Sequence, residues 1–309
     1  MHDLVIIGGG AAGLSAAIYA LRARLDVLLI EKMGIGGQIM TADIIENYPG
    51  FKSLSGMELM QKFEEQANDL GLRTEYKTVN KIIDERNKKI IKTDGGDIEA
   101  MAVIIATGAN PKKLGVAGEE KFTGRGVSYC ATCDGPFYKD KNVVVIGGGD
   151  TAVKEANYLT KIAAKVTLVH RRDRLRAEKI MQEALLANPK VEFAWYSVLE
   201  EIYGDDSGVT GVKIKNVNDG VRAIDTDGVF VFVGIETDTS FVDVEKTEQN
   251  FIVVNSKMET SVKGIYAVGD VRNTPLRQVA TAVGDGAIAA VMAEEYISRL
   301  KGESYPARD

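Results

Sequence analysis

A glycine-rich pattern occurs twice in this chain of 309 residues, and the repeat constrains the fold more than any other feature. The first copy is Gly8-x-Gly10-x-x-Gly13, and the second, 139 residues further along, is Gly147-x-Gly149-x-x-Ala152. Each copy lies between an apolar segment and a helix-like one, as in a strand–turn–helix unit. Self-similarity at a fixed offset predicts two related domains.

Apolar periodicity predicts the same three elements around each glycine pattern. In the first copy they are a strand over 4–7, a helix over 11–24 and a strand over 27–30. In the second they are a strand over 142–146, a helix over 150–162 and a strand over 166–169. Short strands with turn signals follow at 89–93, 101–106, 200–203 and 209–216, and a helix over about 276–300 ends the pattern. The order predicts an α/β fold of two Rossmann-like nucleotide-binding domains, each a parallel sheet with helices plus a β-meander.

Two segments rich in glycine, proline and polar residues mark the crossings between these domains, at 110–116 and 234–239. We therefore expect a discontinuous first domain of residues 1–112 and 241–309, with residues 113–240 forming the second. The length of the chain also exceeds the usual extent of one hydrophobic core.

The composition is that of a soluble globular enzyme, with 45% hydrophobic and 27% charged residues. The chain has 38 basic and 44 acidic residues, and a net charge of −6 gives no reason to expect nucleic acid as a partner. No apolar run reaches the roughly 18 residues that cross a bilayer. The apolar start carries Asp3, lacks a basic region and is interrupted by glycines, unlike a signal peptide. We expect a cytoplasmic protein that contacts no membrane.

The first glycine pattern has the features of a dinucleotide-binding turn. Gly8 permits the tight turn, Gly10 lets the backbone approach a pyrophosphate, and Gly13 allows close packing of the helix. Glu31 ends the second strand, 18 residues after Gly13, where a carboxylate accepts hydrogen bonds from a ribose. A tight turn with no ligand is the alternative for one such pattern, but the register of strand, helix and Glu31 favours nucleotide binding.

The second copy differs from the first at the position of Glu31, where it has His170-Arg171-Arg172, with Arg176 one turn further on. Guanidinium groups suit a 2′-phosphate, so this site is expected to prefer NADPH over NADH. The alternative is a solvated basic face that opens a helix, although basic residues there oppose the helix dipole. The predicted NADPH-binding residues are Gly147, Gly149, Asp150, Thr151, Ala152, His170, Arg171, Arg172 and Arg176.

The only two cysteines of the chain lie between the two glycine patterns, in Cys130-Ala131-Thr132-Cys133. A pair so close in sequence closes too little chain to be explained by stability, and in the cytosol it is more often catalytic or metal-binding. A structural zinc needs four ligands and only His2 and His170 remain as soft partners, so zinc would require a site shared across a dimer. Asp134 follows directly and can exchange a proton with a thiol, although Asp-Gly is also turn-prone. We predict a redox-active dithiol with no metal.

Over essentially its whole length the chain resembles the low-molecular-weight, prokaryotic-type thioredoxin reductases, a family of flavoprotein disulfide reductases. The resemblance is carried by 128–135 around the dithiol, by the strand exit Ala106-Thr107-Gly108, and by 260–270, which ends in Gly269-Asp270. Further segments that resemble the family lie at 36–38, 46–50 and Arg277-Gln278. As in that family, the dithiol lies within the second domain rather than beside the first glycine pattern.

The resemblance implies a homodimer with one FAD per chain, in which electrons pass from NADPH through FAD to the dithiol and then to oxidised thioredoxin or a thioredoxin-like protein. It implies that Cys133 faces the flavin, that Cys130 attacks the partner disulfide, and that Asp134 handles the proton. The implied FAD-binding residues are Gly8, Gly10, Ala12, Gly13, Glu31, Gly37, Gln38, Asn47, Ala106, Thr107, Gly108, Gly269, Asp270, Arg277 and Gln278.

The chain departs from the family at Tyr129 and at Pro136-Phe137, in a stretch that touches thioredoxin in the family. Two other functions stay open. One is the flavoprotein part of a hydroperoxide-reductase system, whose members usually carry an amino-terminal thioredoxin-like extension. Because this sequence starts at the first predicted strand, we expect no such extension. The other is a non-catalytic, flavin-based redox sensor, against which the dithiol with its adjacent Asp134 argues.

Overall fold

The chain folds into two units, and the first is assembled from both ends of the sequence. In this computed structural model, which describes residues 1–42, 44–85 and 87–303, unit 1 comprises Met1–Asn110 and the chain from Glu236 onward, and unit 2 comprises Pro111–Ile235. Every element expected from the apolar periodicity overlaps an observed helix or strand. The two glycine patterns lie in different units.

The strands in chain order are β1 (His2–Ile7), β2 (Val27–Glu31), β3 (Arg73–Tyr76), β4 (Val79–Glu85), β5 (Lys88–Thr93), β6 (Gly96–Ile105), β7 (Asn110–Pro111), β8 (Val127–Ser128), β9 (Asn142–Gly147), β10 (Lys165–Val169), β11 (Val191–Ala194), β12 (Ser197–Asp205), β13 (Gly208–Asn216), β14 (Gly220–Asp225), β15 (Gly228–Phe232), β16 (Ile235–Glu236) and β17 (Ile265–Ala267). The α-helices are α1 (Ala11–Arg22), α2 (Gly56–Asp69), α3 (Glu119–Phe122), α4 (Ala131–Asp134), α5 (Asp150–Leu159), α6 (Lys179–Leu186) and α7 (Val279–Lys301). Short 3₁₀ helices span Gly37–Thr41, Gly135–Tyr138 and Gly269–Val271.

In the described part of unit 1, seven strands form one sheet in the order β3-β2-β1-β6-β5-β4, with β17 also paired to β6. Strands β3, β2, β1, β6 and β17 run parallel, whereas β4 and β5 join by antiparallel pairing. The expected meander therefore extends the parallel sheet and does not stand beside it. Strand β6 is longer than the expected 101–106 because residues 96–100 pair with β5 and residues 100–105 pair with β1.

The parallel strands of unit 1 are apolar along their whole length because both faces of the sheet are covered. On β1, Leu4 and Ile6 pack into the cluster that contains α1 and α7, whereas Val5 and Ile7 pack into the cluster on the other face. Small residues allow α7 to lie close to α1. A Cβ on Gly286 would come within 2.3 Å of the Ala12 carbonyl oxygen.

In unit 2, all of whose residues the structure describes, a five-stranded parallel sheet has the order β11-β10-β9-β15-β8. The three strands β12, β13 and β14 form a separate antiparallel sheet, as expected of a meander. Its apolar residues, such as Val212 and Ile214, pack against one face of the parallel sheet, and α5 packs against the other. Strands β7 and β16, at the two points where the chain passes between units, pair with each other.

Three helices are shorter than the periodicity predicts, and local hydrogen bonds explain the differences. Helix α5 ends at Leu159 rather than at residue 162, because the Lys161 and Ile162 N–H groups donate to carbonyls only three residues back, at 3.1 and 3.0 Å. Helix α1 ends at Arg22 rather than at residue 24 because Arg24 adopts a positive φ of 64° and Leu25 N–H returns to the Ala20 carbonyl at 3.2 Å. Helix α7 begins at Val279 rather than at residue 276 because Gln278 is its N-cap, in a reciprocal capping box with Thr281. No helix in the described ranges is long and apolar enough to cross a membrane.

Candidate functional site

The first glycine turn has two glycines that no other residue could replace without moving the backbone. Gly8 has a φ of 107°, and a Cβ there would lie 2.4 Å from the Ala106 carbonyl oxygen. A Cβ on Gly13 would lie 1.9 Å from the Gly8 carbonyl oxygen. Crowding does not explain Gly10, because a Cβ there would meet its nearest described neighbour, the Gly36 carbonyl oxygen, only at 3.9 Å. The turn therefore presents open backbone at the start of α1, as a pyrophosphate requires.

The carboxylate of Glu31 is fixed at this turn by three backbone amides. Its Oε2 accepts the Gly9 N–H at 2.7 Å, and its Oε1 accepts the N–H groups of Lys32 at 2.8 Å and Met33 at 3.0 Å. Three amide donors hold the carboxylate in one orientation. Glu31 thus lies where the sequence pattern places it, at the carboxyl end of β2 and beside the glycine loop.

Residues far apart in sequence meet near this turn in unit 1. The Gln38 amide donates to the Ala109 carbonyl oxygen at 2.6 Å and also to the Asn110 side chain, just beyond the strand exit that follows β6. Asn47 donates to the Gln278 side chain at 3.0 Å. The structure therefore brings together the segments for which the sequence resemblance implies FAD contacts.

The turn after β17 lies against the first glycine turn. Gly269 has a φ of 70°, and a Cβ there would lie 3.1 Å from the Ala12 Cβ. The Gly269 N–H donates to Asp285 Oδ2 at 3.0 Å, and Arg272 donates to both oxygens of the same carboxylate, with Nε and Nη2 each at 2.7 Å. Sequence reasoning missed this pair. Its only signal, a charged residue in the mostly apolar first half of α7, does not identify the partner.

Two further charged groups in unit 1 are partly removed from water near this turn. Burial raises the pKa of Asp270 to about 6, opposed by the positive charge of Arg277. Burial also lowers the pKa of Arg277, which stacks over the Phe251 ring at 4.5 Å. Arg277 Nε is buried and has no hydrogen-bond partner among the described residues. A buried donor without a partner is costly, which points to an acceptor that a ligand supplies.

The glycine turn of unit 2 repeats the geometry of the first. Gly147 has a φ of 149°, and a Cβ there would lie 2.5 Å from the Phe232 carbonyl oxygen. A Cβ on Gly149 would meet no described atom within 4 Å, so the second turn also presents open backbone. Asp150, at the start of α5, accepts the Glu178 N–H at 2.9 Å. That bond ties the beginning of the helix to the loop that follows β10.

His170 occupies in unit 2 the place that Glu31 occupies in unit 1. Its ring lies against Gly148, where a Cβ would come within 2.3 Å of the imidazole. His170 is 6% exposed, and its Nε2 is buried without a hydrogen-bond partner among the described residues. Burial lowers the pKa of His170, and the neighbouring Arg176, Arg171 and Arg172 lower it further, so the ring is neutral near pH 7.

The three arginines are exposed on the loop between β10 and α6, and this loop returns to the glycine turn. The Arg176 N–H donates to the Gly148 carbonyl oxygen at 2.7 Å, and the Tyr196 N–H donates to the Arg172 carbonyl oxygen at 3.3 Å. Helix α6 begins only at Lys179, so the three arginines precede it and lie in the loop rather than in its first turn. The backbone of the loop that carries them is tied to the second turn at Arg176.

The two cysteines form a disulfide, and a single helical turn, α4, follows Cys130. The Cys130 sulfur accepts the Cys133 N–H at 3.2 Å, and the Cys130 N–H donates to Ser128 Oγ at 3.1 Å. Both cysteines are half-buried. Asp134 ends the turn. Burial of Tyr138 raises the pKa of its hydroxyl to about 12, and the negative charge of the nearby Asp134 adds to this effect. No cluster of three or more metal-ligating side chains occurs in the parts of the chain that the structure describes.

The segments in which the chain departs from the resemblance flank this disulfide. The Tyr129 hydroxyl donates to Glu119 Oε1 at 2.9 Å, and burial, followed by this bond, raises the pKa of Tyr129 to about 12. Glu119 is 2% exposed and also accepts the N–H groups of Leu114 and Gly115. Phe137 remains exposed on the 3₁₀ helix that follows α4. Tyr129 is thus anchored inward, whereas Phe137 faces solvent.

Three comparisons with known proteins agree on the family of this chain. The family model of the pyridine nucleotide-disulphide oxidoreductases matches residues 2–286. Thioredoxin reductase of Listeria monocytogenes is 45% identical over 97% of this chain and 95% of its own, and that of Bacillus subtilis is 45% identical over 97% and 96%. The crystal structure of thioredoxin reductase from Streptococcus pyogenes matches with 47% identity and a TM-score of 0.93, over 97% of this chain and 99% of that one. The expected α/β fold is confirmed, and the chain belongs to the pyridine nucleotide-disulphide oxidoreductases and, within them, to the thioredoxin reductase family.

Proposed function

We propose that this protein is a thioredoxin-disulfide reductase that takes two electrons from NADPH and delivers them, through FAD and the Cys130–Cys133 dithiol, to the disulfide of thioredoxin or a thioredoxin-like protein. The observation that carries the proposal is the half-buried disulfide of unit 2, which contains every cysteine of the chain. A disulfide with no other thiol to relay to must itself exchange with the partner.

FAD is the cofactor that the residues of unit 1 fit. The backbone at Gly10 is open to a phosphate, the carboxylate of Glu31 is fixed at the end of β2, and Arg277 Nε is a buried donor without a described partner. When bound, FAD would accept two electrons from a nicotinamide and pass them to a disulfide. We propose that unit 1 is its domain.

NADPH is the nucleotide that the residues of unit 2 fit, and we propose that unit 2 is its domain. Gly149 leaves the backbone open at the start of α5, and Arg171, Arg172 and Arg176 lie beside that turn. Exposed guanidinium groups bind a 2′-phosphate bidentately, and NADH lacks this group. The position that holds Glu31 in unit 1 holds neutral His170 here, which removes the carboxylate that would repel the phosphate.

The chemistry of the partner step falls to the dithiol and Asp134. Reduction breaks the Cys130–Cys133 bond and yields two thiols. The Cys130 thiolate then attacks one sulfur of the partner disulfide, and the other partner sulfur leaves as a thiolate. Cys133 attacks the mixed disulfide, which restores the Cys130–Cys133 bond and releases the reduced partner. Asp134, next to Cys133, is the group that would take up and return the proton.

We propose that the protein works as a cytoplasmic homodimer and that the partner docks on the exposed side of the segment around Phe137. Phe137 is an exposed apolar side chain on the 3₁₀ helix that lies immediately after the dithiol turn. An apolar contact at that position would bring a protein disulfide to Cys130. Nucleic acid and membrane play no part in the proposed reaction.

The test is an assay in which NADPH absorbance is followed with a panel of oxidised thioredoxin-like proteins. We expect turnover with at least one of them, and a slower reaction when NADH replaces NADPH. Turnover with a peroxidase partner but with none of the thioredoxin-like proteins would favour the hydroperoxide-reductase alternative. Absence of turnover with any protein disulfide, in a preparation that retains flavin, would favour a redox sensor and contradict the proposal.

A further inference from the structure

Thr132 lies between the two cysteines, and its hydroxyl contacts the sulfur of Cys130. Thr132 Oγ1 and Cys130 Sγ are 3.4 Å apart. The sulfur of a disulfide carries no hydrogen, so the hydroxyl is the donor in this contact. The same sulfur also accepts the Cys133 N–H at 3.2 Å. A side-chain donor and a backbone donor of one turn therefore reach the sulfur that attacks the partner in the proposed reaction.

Packing does not explain a threonine at this position. Thr132 is exposed, so burial does not force its hydroxyl to find a partner within the protein. The buried contact of α4 with α5 is made instead by Ala131, which is fully buried. The hydroxyl is thus directed at the Cys130 sulfur in a place where it could bond to water.

The strength of this contact depends on the charge of the sulfur. A neutral sulfur is a weak acceptor, whereas a hydrogen bond to an ionised acceptor is roughly twice as strong as one between neutral groups. The Thr132 hydroxyl therefore stabilises a Cys130 thiolate more than it stabilises the disulfide. Donors aimed at an atom on which charge develops favour the step that develops it.

We propose that Thr132 is a further catalytic residue of the partner step, whose hydroxyl donates to the Cys130 sulfur and stabilises it as a thiolate. The inference deepens the proposed function and rests on it, because the thiolate serves a purpose only if Cys130 attacks a partner. In that attack Cys130 forms a bond to one partner sulfur, and the partner disulfide breaks with its electron pair on the other sulfur. Thr132 keeps its own proton throughout.

The charged groups around the turn stay the same when Thr132 is substituted. Helix α4 packs on α5 and on the 3₁₀ helix that follows it, and α5 packs on α6. The titratable side chains of these elements are Asp134 on α4, Tyr138 on the 3₁₀ helix, Asp150, Lys154, Glu155 and Tyr158 on α5, and Lys179 and Glu183 on α6. Tyr129, which precedes Cys130, bonds to Glu119. A comparison of side chains at residue 132 therefore isolates the hydroxyl.

The test measures the rate at which iodoacetamide alkylates Cys130 in the full-length protein between pH 5 and pH 9. The protein is first reduced with dithiothreitol and desalted without oxygen, and peptide mapping separates Cys130 from Cys133, the only other cysteine. Neither NADPH nor thioredoxin takes part. Failure of the proposed electron path and failure of this inference are therefore observed separately.

Thr132→Val replaces the hydroxyl by a methyl group of similar size. We expect the pH of half-maximal rate to rise by about 0.5–1 pH unit, because the thiolate loses a donor. The rate at pH 7 should fall only about two- to threefold, since a more basic thiolate is also more nucleophilic. Thr132→Ser keeps the hydroxyl and removes the methyl group, so its profile should match that of the parent.

Thr210→Val makes the same change at an exposed position of β13, and as the control it should leave the profile unchanged. A role in packing would give the opposite order, with the Val variant equal to the parent and the Ser variant altered. A Thr132→Val profile equal to that of the parent would overturn the proposal, as would an equal rise in the Ser and Val variants.

Discussion

Removal of the Asp285 carboxylate should lower the free energy of unfolding of unit 1 more than removal of any exposed charged side chain of α7. Its side chain is 8% exposed, and that of Arg272 is 14% exposed. The carboxylate accepts two guanidinium N–H groups at 2.7 Å and the Gly269 N–H at 3.0 Å. Asp285→Ala leaves a nearly buried guanidinium that keeps only its 3.2 Å bond to the Asn273 carbonyl oxygen.

Breaking a buried ion pair from one side typically costs about 3–5 kcal/mol, and we expect Asp285→Ala to fall in that range. Arg272→Met alone should also destabilise, since it leaves the Asp285 carboxylate with only the Gly269 N–H as a partner. The double variant should lose less than the sum of the two singles, by about 1–3 kcal/mol, because each change removes the charge that the other leaves unpaired.

The assay is urea unfolding at one fixed excess of FAD, because a bound ligand shifts apparent stability. Flavin fluorescence reports unit 1, and Trp195, the only tryptophan, reports unit 2 and should be unaffected. Glu295→Ala is the matched control on α7, since its partner Arg299 is 72% exposed and such pairs contribute less than about 1 kcal/mol. A loss below about 1 kcal/mol in Asp285→Ala, or a double variant that equals the sum of the singles, would refute this reasoning.

Three further predictions follow from the other charged residues. Arg171→Ala/Arg172→Ala should raise the KM for NADPH roughly 10- to 150-fold and leave the KM for NADH nearly unchanged, because only NADPH has a 2′-phosphate. In steady-state kinetics, an equal rise of KM for both nucleotides would show that these arginines do not contact the 2′-phosphate. Asp134→Asn should slow reduction of the partner without preventing the Cys130–Cys133 disulfide from forming. Rapid-quench counting of thiols measures disulfide formation and steady-state turnover measures partner reduction, and unchanged turnover would exclude a proton-transfer role. Burial raises the pKa of Asp270 to about 6, above its unfolded value, so FAD-free protein binds this proton more tightly than the unfolded chain does. Its stability should fall as pH rises from about 4 through 6, and Asp270→Asn should flatten that slope in urea unfolding; an unchanged slope would count against the assignment.

Much of the fold was predictable because its signals are local. The glycines at the two turns are needed by their own backbone geometry, as the 1.9 Å approach of a Gly13 Cβ to the Gly8 carbonyl shows. The fixed offset also aligned Glu31 with His170. In the structure Glu31 lies against Gly9 and His170 lies against the equivalent Gly148. An internal repeat supplies this comparison without any other sequence.

The two meanders show where local patterns stop being informative. Their turn signals are alike, yet β4 and β5 extend the parallel sheet of unit 1, whereas β12, β13 and β14 form a sheet of their own in unit 2. In unit 1 the meander joins the main sheet because β6 pairs with β5 on one side and with the parallel strand β1 on the other. That choice depends on packing across the unit, which short sequence windows do not contain.

The contacts that order the candidate sites were not predictable for the same reason. Asn47 and Gln278 are separated by 231 residues, and the Asp285 carboxylate reaches Gly269 only because α7 turns back over that loop.

The most direct test of the proposed electron path is a stopped-flow measurement on Cys130→Ser, in which Cys133 remains as a thiol. NADPH should still bleach the flavin at a rate close to that of the parent, because hydride transfer needs only the two nucleotides. Turnover with oxidised thioredoxin should be lost, because attack on the partner and resolution of the mixed disulfide need both sulfurs. Undiminished thioredoxin reduction by Cys130→Ser would contradict the account and leave the Cys130–Cys133 pair a structural feature.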